Sequence, residues 1–399
     1  MIVVCAALLT WFSYGFSRSF ADAQDQPERA IAAWRTAPAL ASAAAVLAVQ
    51  APSAANMARA ERLATETLLR EPSNVVAMRT LALAQDLKGQ HKRAGVLMGY
   101  AERMSRRDVP TQLWLIQEAV TAGKIPDALH HYDRALSTSW SMRDVLLPIL
   151  IEAAAEPEIA DRLSRRLAER PNWWMPAVTR FVTESNDPSS LALVLRRMKL
   201  NPADDYERSL LGPGIARLVR NGAYGDAQQI YLAARPEMRR ATTVRDGDFS
   251  SDPLLPPFDW ELGSSPDLSA NRVAGDGSSD LRLELVAADA HNGTAAKQLL
   301  LLAPGRYRLT ALVGNVGQGS VRPAIELRCA EGAERPIATM PFPATGAGAV
   351  KLGGAFIVPE GGCRAQWLNL QAVAPIEETS VGEPWIDKIE IRPEAAARP

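Results

Sequence analysis

The pattern of hydrophobic positions changes once along the chain, near residue 240. Before that point, apolar residues recur every three to four positions, which is typical of amphipathic helices. After it, apolar and polar residues alternate in short runs separated by Gly and Pro, which is typical of antiparallel strands. The sequence therefore predicts a multidomain α-then-β protein, with helices over residues 24–239 and a β-sandwich over 240–399.

The N-terminal segment, residues 1–16, carries no charged side chain. A helix of this length rises about 24 Å, short of the roughly 30 Å hydrocarbon core of a bilayer. It is typical of a signal peptide, and Ala21-Asp22-Ala23 fits an A-x-A cleavage site. A short uncleaved anchor, favoured by its aromatic residues, and a buried helix of a soluble protein are the alternatives. We expect residues 1–23 to export the chain to the periplasm or cell envelope, where residues 1–16 act as a tether if they are not removed.

The helical part repeats a pattern of small and large residues with a period close to 34. In each copy a Gly is followed five residues later by Ala, four later by a large residue and three later by Ala. This spacing forms one stripe on a helix, where small side chains let a neighbouring helix approach closely. The predicted packing residues are Ala94, Met98, Ala101, Ala128, Tyr132, Ala135, Ala227, Tyr231 and Ala234.

The spacing resembles the tetratricopeptide repeat over about half the chain. The resemblance implies a curved solenoid of about five to six helix pairs that binds a protein partner in its groove. Residues 140–215 keep the helical periodicity but lose the motif. The adjacent His130 and His131 lie about 100° apart on a helix and cannot easily share one ion, so a solvated face is the favoured interpretation.

In the C-terminal part, period-two alternation predicts about eight short strands packed as an antiparallel sandwich. In each of four strands, one set of alternating residues is predicted to share a face. The sets are Leu281, Leu283 and Leu285; Tyr307, Leu309, Ala311 and Val313; Ile325, Leu327 and Cys329; and Trp385, Asp387, Ile389 and Ile391.

Three stretches of this part, DGDFSSDPLLPPFDWEL, APGRYRLTALV and WIDKIEI, resemble the jelly-roll carbohydrate-binding modules and their galactose-binding-like relatives. The resemblance implies a glycan-binding sandwich. Asp246 and Ser250 stand where the family's opening segment has Asn and Glu, so a structural calcium is not implied. The acidic residues Asp246, Asp248 and Asp252 fit either a calcium site or a solvated linker, and the linker is favoured.

Two cysteines and one tryptophan bear on the glycan hypothesis. In an exported protein Cys329 and Cys363 are expected to form a disulfide. Trp367, Asn369 and Gln371 share one face of a strand and form a candidate sugar-contacting strip. Cys363 has the same parity as Trp367, which favours the alternative that Trp367 packs on the disulfide in the core. Trp260 and Trp385 are expected in the core by the same reasoning.

The composition narrows the function classes. The chain of 399 residues is 47% hydrophobic and 22% charged with a net charge of -1, which describes two or three globular domains. Such a charge gives no general attraction to nucleic acid or anionic membrane, so membrane contact is expected only through the N-terminal segment. The sequence holds no P-loop, HExxH, GxSxG or CxxC motif. No catalytic residue, cofactor or metal is therefore predicted.

These patterns favour a non-catalytic exported adaptor. Its helices would bind a protein partner, and its sandwich would bind a bacterial polysaccharide or brace an assembly. By analogy with similar repeat and β-domain pairings, it would serve envelope polysaccharide assembly or export. Two alternatives stay open: a purely structural assembly protein, and a carbohydrate-active enzyme with two carboxylates at the domain junction.

Overall fold

The computed structural model describes residues 2–50, 53–240, 243–275, 280–288, 291–332, 335–374 and 382–394, without the side chains of residues 2–9, 50 and 240. Within these residues the chain forms fourteen α-helices and then two antiparallel sheets, which confirms the predicted order of helix and strand. The chain divides into two compact units, residues 1–149 and 150–399. The change of pattern at residue 240 lies inside the second unit.

The first unit is helical, and its last helix continues into the second unit. Its helices are α1 (Ile2–Ala21), α2 (Pro27–Ala33), α3 (Ala37–Gln50), α4 (Ala54–Arg70), α5 (Val75–Leu87), α6 (His91–Met104), α7 (Val109–Thr121), α8 (Ile125–Thr138) and α9 (Trp140–Ala153).

Helices α5 and α6, and likewise α7 and α8, pack as pairs joined by a tight turn. Gly89 and Gly123 lie in these turns at φ +74° and +68°, a left-handed conformation that favours glycine at the end of a helix. The predicted packing residues of this unit are buried, except Tyr132, which is half-buried. Paired helices are thus present, while membership of the tetratricopeptide family stays a prediction.

Helix α1 contacts the segment after α2 through its C-terminal half. The Ser19 hydroxyl donates to the Trp34 carbonyl oxygen at 2.7 Å, and the Phe12 and Trp34 ring centroids lie 4.5 Å apart. Among the residues that the structure describes, no helix is long and apolar enough to cross a membrane. The apolar side chains of residues 2–9 lie outside the description, so the export role of residues 1–23 stays a prediction.

The second unit combines five helices with the strands. Its helices are α10 (Pro157–Ala168), α11 (Trp174–Glu184), α12 (Pro188–Met198), α13 (Asp205–Arg220) and α14 (Tyr224–Ala234). Its strands are β1 (Glu261–Leu262), β2 (Leu268–Ala274), β3 (Leu281–Ala287), β4 (Asn292–Leu300), β5 (Gly305–Val316), β6 (Ala324–Cys329), β7 (Ala338–Pro341), β8 (Gly346–Val358), β9 (Gln366–Val373) and β10 (Trp385–Pro393).

The strands form two five-stranded sheets with the orders β1-β4-β9-β6-β7 and β2-β3-β10-β5-β8. Alternate residues of both sheets meet in one hydrophobic core, as expected for a sandwich. The predicted inward faces of β5 and β6 are confirmed, because each of their residues belongs to this core. Of the three leucines predicted on β3, Leu283 and Leu285 lie in it.

The predicted face of β10 is wrong at its start. Ile386 lies in the core together with Ile389 and Ile391, whereas Trp385 does not belong to the core cluster. The pairing of β10 with β5 shifts register between Asp387 and Glu390, and such a bulge reverses the parity of the residues on either side. Trp385 is still buried, because its ring lies over Gly314 on the outer side of the sheet.

The expected disulfide is present. Cys329 ends β6, Cys363 lies in the turn before β9, and their sulfur atoms are bonded at 2.01 Å. Both residues are buried in the sandwich core.

A buried ionic network joins α14 to the sandwich within the second unit. The Asp259 carboxylate, 6% exposed, accepts hydrogen bonds from the Tyr231 hydroxyl and from Arg235 Nη1 at 3.0 Å. It also accepts the backbone N–H groups of Leu254 and Leu255 at 3.0 and 2.9 Å. Burial, reinforced by the Asp259 charge, raises the pKa of Tyr231, so this hydroxyl stays protonated and donates. The buried Asp259 carboxylate thus accepts four hydrogen bonds, from two side chains and two backbone N–H groups.

Candidate functional site

The residues predicted to contact glycan lie on β9, the central strand of its sheet. Leu368 and Leu370 are fully buried in the core. Because side chains alternate along a strand, Trp367, Asn369 and Gln371 point to the opposite, outer face. We call these three residues the polar strip.

The favoured expectation that Trp367 packs in the core is wrong. Trp367 is half-buried and lies outside the core cluster, although the disulfide itself is inside it. The parity argument failed because Cys363 lies in a turn, three residues before β9 begins at Gln366. Trp260, by contrast, is 2% exposed in the core, as expected, with its indole N–H donating to the Asp246 carbonyl oxygen at 3.0 Å.

The Trp367 ring has a cation above it. Lys297 Nζ lies 5.2 Å from the ring centroid and also 3.2 Å from Glu261 Oε1. A cation over an aromatic face at a partly exposed site contributes about 0.5–1 kcal/mol. A sugar that stacks on this side of the ring must therefore displace the ammonium group.

The other two strip residues are amides with polar neighbours. Asn369 stands in register with Lys297 on β4 and Glu326 on β6, and it is 8% exposed. Gln371 Nε2 donates to the Thr294 hydroxyl at 3.0 Å. The face thus presents the half-buried Gln371 amide and carboxylate groups, of the kinds that match sugar hydroxyls, beside one aromatic ring, while the Asn369 side chain is buried.

The acidic residues near the start of the sandwich bond to protein groups of their own loop and of β2. Asp246 Oδ1 accepts hydrogen bonds from the Ser250 hydroxyl at 3.2 Å and the Ser251 N–H at 3.0 Å, and burial raises its pKa. Asp252 pairs with Arg272. Among the described residues, no three His, Cys, Asp or Glu side chains come together as metal ligands.

The two adjacent histidines have ring centroids 5.5 Å apart but lie in different surroundings. His130 is exposed, as the solvated-face interpretation expected, whereas His131 is half-buried, so that interpretation is wrong for His131. His131 Nδ1 lies 2.8 Å from Gln112 Oε1 and 3.4 Å from Glu102 Oε1. Burial lowers the pKa of His131, and the Glu102 charge only partly opposes that effect. His131 thus belongs to the packing between α7 and α8.

Comparisons with known proteins assign no family. No protein-family model matches the chain. No curated protein matches it either. Among solved structures, a CBM4 carbohydrate-binding module is similar at 10% identity and a TM-score of 0.27, over 38% of this chain and 99% of that one.

A second similar structure is the enzymatically active domain of bacteriophage CBA120 tailspike protein 4, at 14% identity and a TM-score of 0.26, over 38% of this chain and 21% of that one. Similarity at this level assigns neither a family nor a ligand.

One residue of the candidate site had no sequence indication. Lys297 lies 70 positions before Trp367, so only the folded chain brings the two together. For the buried network around Asp259, the sequence does contain one indication. Asp259 stands alone between Phe258 and Trp260, and a lone carboxylate in an apolar run needs buried partners.

Proposed function

We propose that this protein is a non-catalytic adaptor exported to the cell envelope, whose helices bind a protein partner and whose sandwich binds glycan through the polar strip. The observation that carries the proposal is the strip itself, a partly exposed indole followed by two amides on the outer face of one strand. Aromatic faces stack on sugar rings, and amides pair with sugar hydroxyls.

Support for export comes from the disulfide between Cys329 and Cys363. Such bonds persist in oxidising compartments and are rare in the cytosol. The uncharged segment 1–16 supplies a signal peptide or a tether in the same proposal. A role in polysaccharide assembly or export rests on the resemblance to repeat proteins that carry a β-domain.

Support for binding rather than hydrolysis comes from the carboxylates beside the strip. Glycoside hydrolysis generally needs one carboxyl group as an acid and a second as a base or nucleophile. Here Glu261 is ion-paired with Lys297, and Glu326 is ion-paired with Arg328. Both carboxylates near the strip are thus engaged by cations, and neither stands free beside the Trp367 ring.

Support for a protein partner comes from exposed side chains on α6 in the first unit. Val96 and Tyr100, one helical turn apart, are 59% and 46% exposed. The Arg103 guanidinium lies 4.4 Å from the Tyr100 ring centroid. Aromatic and Arg side chains are enriched at protein interfaces.

The test is calorimetric titration of the full chain with a panel of bacterial surface polysaccharides. We expect saturable binding that Trp367→Ala weakens at least tenfold. Trp140→Ala, which removes a 78% exposed Trp from the first unit, is the matched control and should bind as the wild type does. Absence of binding across the panel, or equal effects of the two variants, would contradict glycan recognition by the strip.

The second candidate is a purely structural assembly protein, and the position of Lys297 favours it. An ammonium group that covers the Trp367 ring blocks one stacking face. If the strip binds glycan by stacking on that face, Lys297→Ala should change glycan affinity. If the strip only braces the sheet, Lys297→Ala should alter stability slightly and no polysaccharide should bind to either form.

A further inference from the structure

The C-terminal half of α1 is built into the fold of the first unit. Ser19 is completely buried, and its hydroxyl lies 2.7 Å from the Trp34 carbonyl oxygen and 2.8 Å from the Thr36 hydroxyl. Gly15, one turn earlier, lies so close to the end of α2 that a Cβ added there would be 3.6 Å from the Ala33 carbonyl oxygen. This half of the helix therefore contributes contacts to the folded first unit, as a segment destined for removal would not.

The candidate cleavage site lies inside this packed region. Ala21, its first residue, is the last residue of α1. Ala23, its last residue, is 4% exposed and packs with Ala30 and Ala39 in a small core cluster. Proteolysis concentrates at exposed and poorly ordered chain, and a cut after Ala23 would remove a buried member of that cluster. The packing thus favours retention of residues 1–23 over their removal as a signal peptide.

The part of α1 before this packed end carries a group of exposed aromatic side chains. Trp11, Tyr14, Phe16 and Phe20 are between 49% and 64% exposed. Large aromatic side chains are usually found in cores and interfaces, and a concentration of exposed apolar surface marks an interaction site with protein or membrane. The exposed rings therefore identify α1 as an interaction surface.

The distribution of the rings around the helix distinguishes between lipid and a protein partner. Trp11 and Phe16 are five residues apart, so they project about 140° apart around the helix axis. A partner helix or a protein groove covers one stripe of a helix. Lipid, by contrast, surrounds a helix that is apolar on several sides. The rings of α1 thus fit a lipid bilayer better than a single protein surface.

The polarity along α1 changes in the order that insertion into a bilayer requires. Residues 1–17 hold no charged side chain. Arg18 is the first charged residue; its Nε lies 3.2 Å from Asp22 Oδ2, and its Nη1 donates to the Tyr14 hydroxyl at 2.8 Å. An apolar run is thus followed by aromatic rings and then by an ion pair, which matches hydrocarbon, lipid headgroups and water in turn.

We propose that α1 is retained in the mature protein and that its uncharged part is embedded in a lipid bilayer, with Trp11, Tyr14 and Phe16 at the level of the headgroups. The packed C-terminal half of α1 then holds the first unit at the membrane surface. This proposal rests on the export step of the proposed function and decides between a signal peptide and a tether. It does not depend on glycan binding by the polar strip.

The first test is flotation of the full chain with vesicles of phosphatidylcholine, with and without phosphatidylglycerol. We expect the chain to float equally with both and to stay bound at high salt, because apolar contact rather than charge holds it. A combined variant with Trp11→Ser, Tyr14→Ser and Phe16→Ser should reduce the vesicle partition coefficient by about tenfold or more.

The matched control is a combined variant with Leu69→Ser, Leu87→Ser and Val120→Ser, at three other exposed apolar positions of the first unit. It should float as the wild type does. Urea unfolding identifies a variant that fails to fold. Failure of the wild type to float, or equal losses in the two variants, would overturn lipid as the partner of α1.

The second test uses the wild type alone and so does not depend on the folding of any variant. The full chain is expressed in a bacterium, the cells are fractionated, and the intact mass of the product is measured. We expect a membrane-bound product that keeps residues 1–23 and is released by detergent but not by high salt. A soluble periplasmic product without residues 1–23 overturns the anchor and leaves export. A soluble cytosolic product that keeps them overturns both.

Discussion

Replacing Asp259 by Ala should destabilise the second unit more than any exposed acidic substitution does. The change removes the acceptor of Tyr231, Arg235 and two backbone N–H groups at once. Arg235 is itself buried, and its other carboxylate partner, Glu237, is 57% exposed. Removing one member of a buried ion pair costs about 3–5 kcal/mol. In Asp259→Ala the buried Arg235 keeps only the more exposed Glu237 as a carboxylate partner.

The assay is urea unfolding of the full chain, followed by near-ultraviolet circular dichroism. Asp252→Ala is the matched control, since Asp252 also pairs with an arginine of the same unit but is 77% exposed. An exposed pair contributes about 0–1 kcal/mol. We expect the free energy of unfolding of the second unit to fall by about 3–5 kcal/mol for Asp259→Ala and by under about 1 kcal/mol for Asp252→Ala.

Tyr231→Phe separates the parts of the network, because it removes one donor and leaves the ion pair between Arg235 and Asp259. A loss of about 1–2 kcal/mol is expected for that change. Equal stability of Asp259→Ala and Asp252→Ala would refute the reasoning, since it would mean that the network contributes nothing to holding α14 against the sandwich.

Two further predictions concern the disulfide and His131. Reducing the Cys329–Cys363 bond, or replacing both residues by Ser, should lower the free energy of unfolding of the second unit by about 4 kcal/mol, as estimated for a closed loop of 34 residues. The transition of the first unit should not move, and urea unfolding with and without reductant measures both; an unchanged second transition would contradict the estimate. The pKa of His131 is lowered in the folded state, so below about pH 6.5 the unfolded chain binds a proton that the folded chain does not. Stability of the first unit should therefore fall as the pH drops through 6.5, and His131→Gln should reduce that fall; equal pH dependence of the two forms, measured by urea midpoints between pH 7.5 and 5.5, would be the contrary result.

Local pattern predicted the strands because burial in a sandwich repeats every second residue. The alternation placed Tyr307 to Val313 and Ile325 to Cys329 on the core side correctly. It failed where the backbone breaks the alternation, at the bulge before Glu390 and in the turn that contains Cys363. A single inserted residue moves every later side chain of the strand to the opposite face of the sheet. No residue type in those segments predicts such an irregularity.

The candidate site could be predicted from the sequence less completely than the fold. The polar strip was visible because its three residues are neighbours on one strand. The ammonium over Trp367 depends on a pair of residues that are far apart in sequence. Helix periodicity identified Tyr231 as a packing residue, and it is fully buried, but its hydroxyl also bonds to Asp259 in the segment before β1. Composition and spacing carry no information on such long-range partners.

The span closed by the disulfide contains two complete strands, β7 and β8. These strands are the outermost members of the two sheets, one on each. Exposed sheet borders are the places where strands peel away or pair with foreign chains, and loop tips between them are common sites of proteolytic nicking. With both ends of the span fastened to each other, a protease that cuts between Pro341 and Gly346 leaves two fragments that remain covalently joined. The borders formed by β7 and β8 thus stay attached to the sandwich after a single cut.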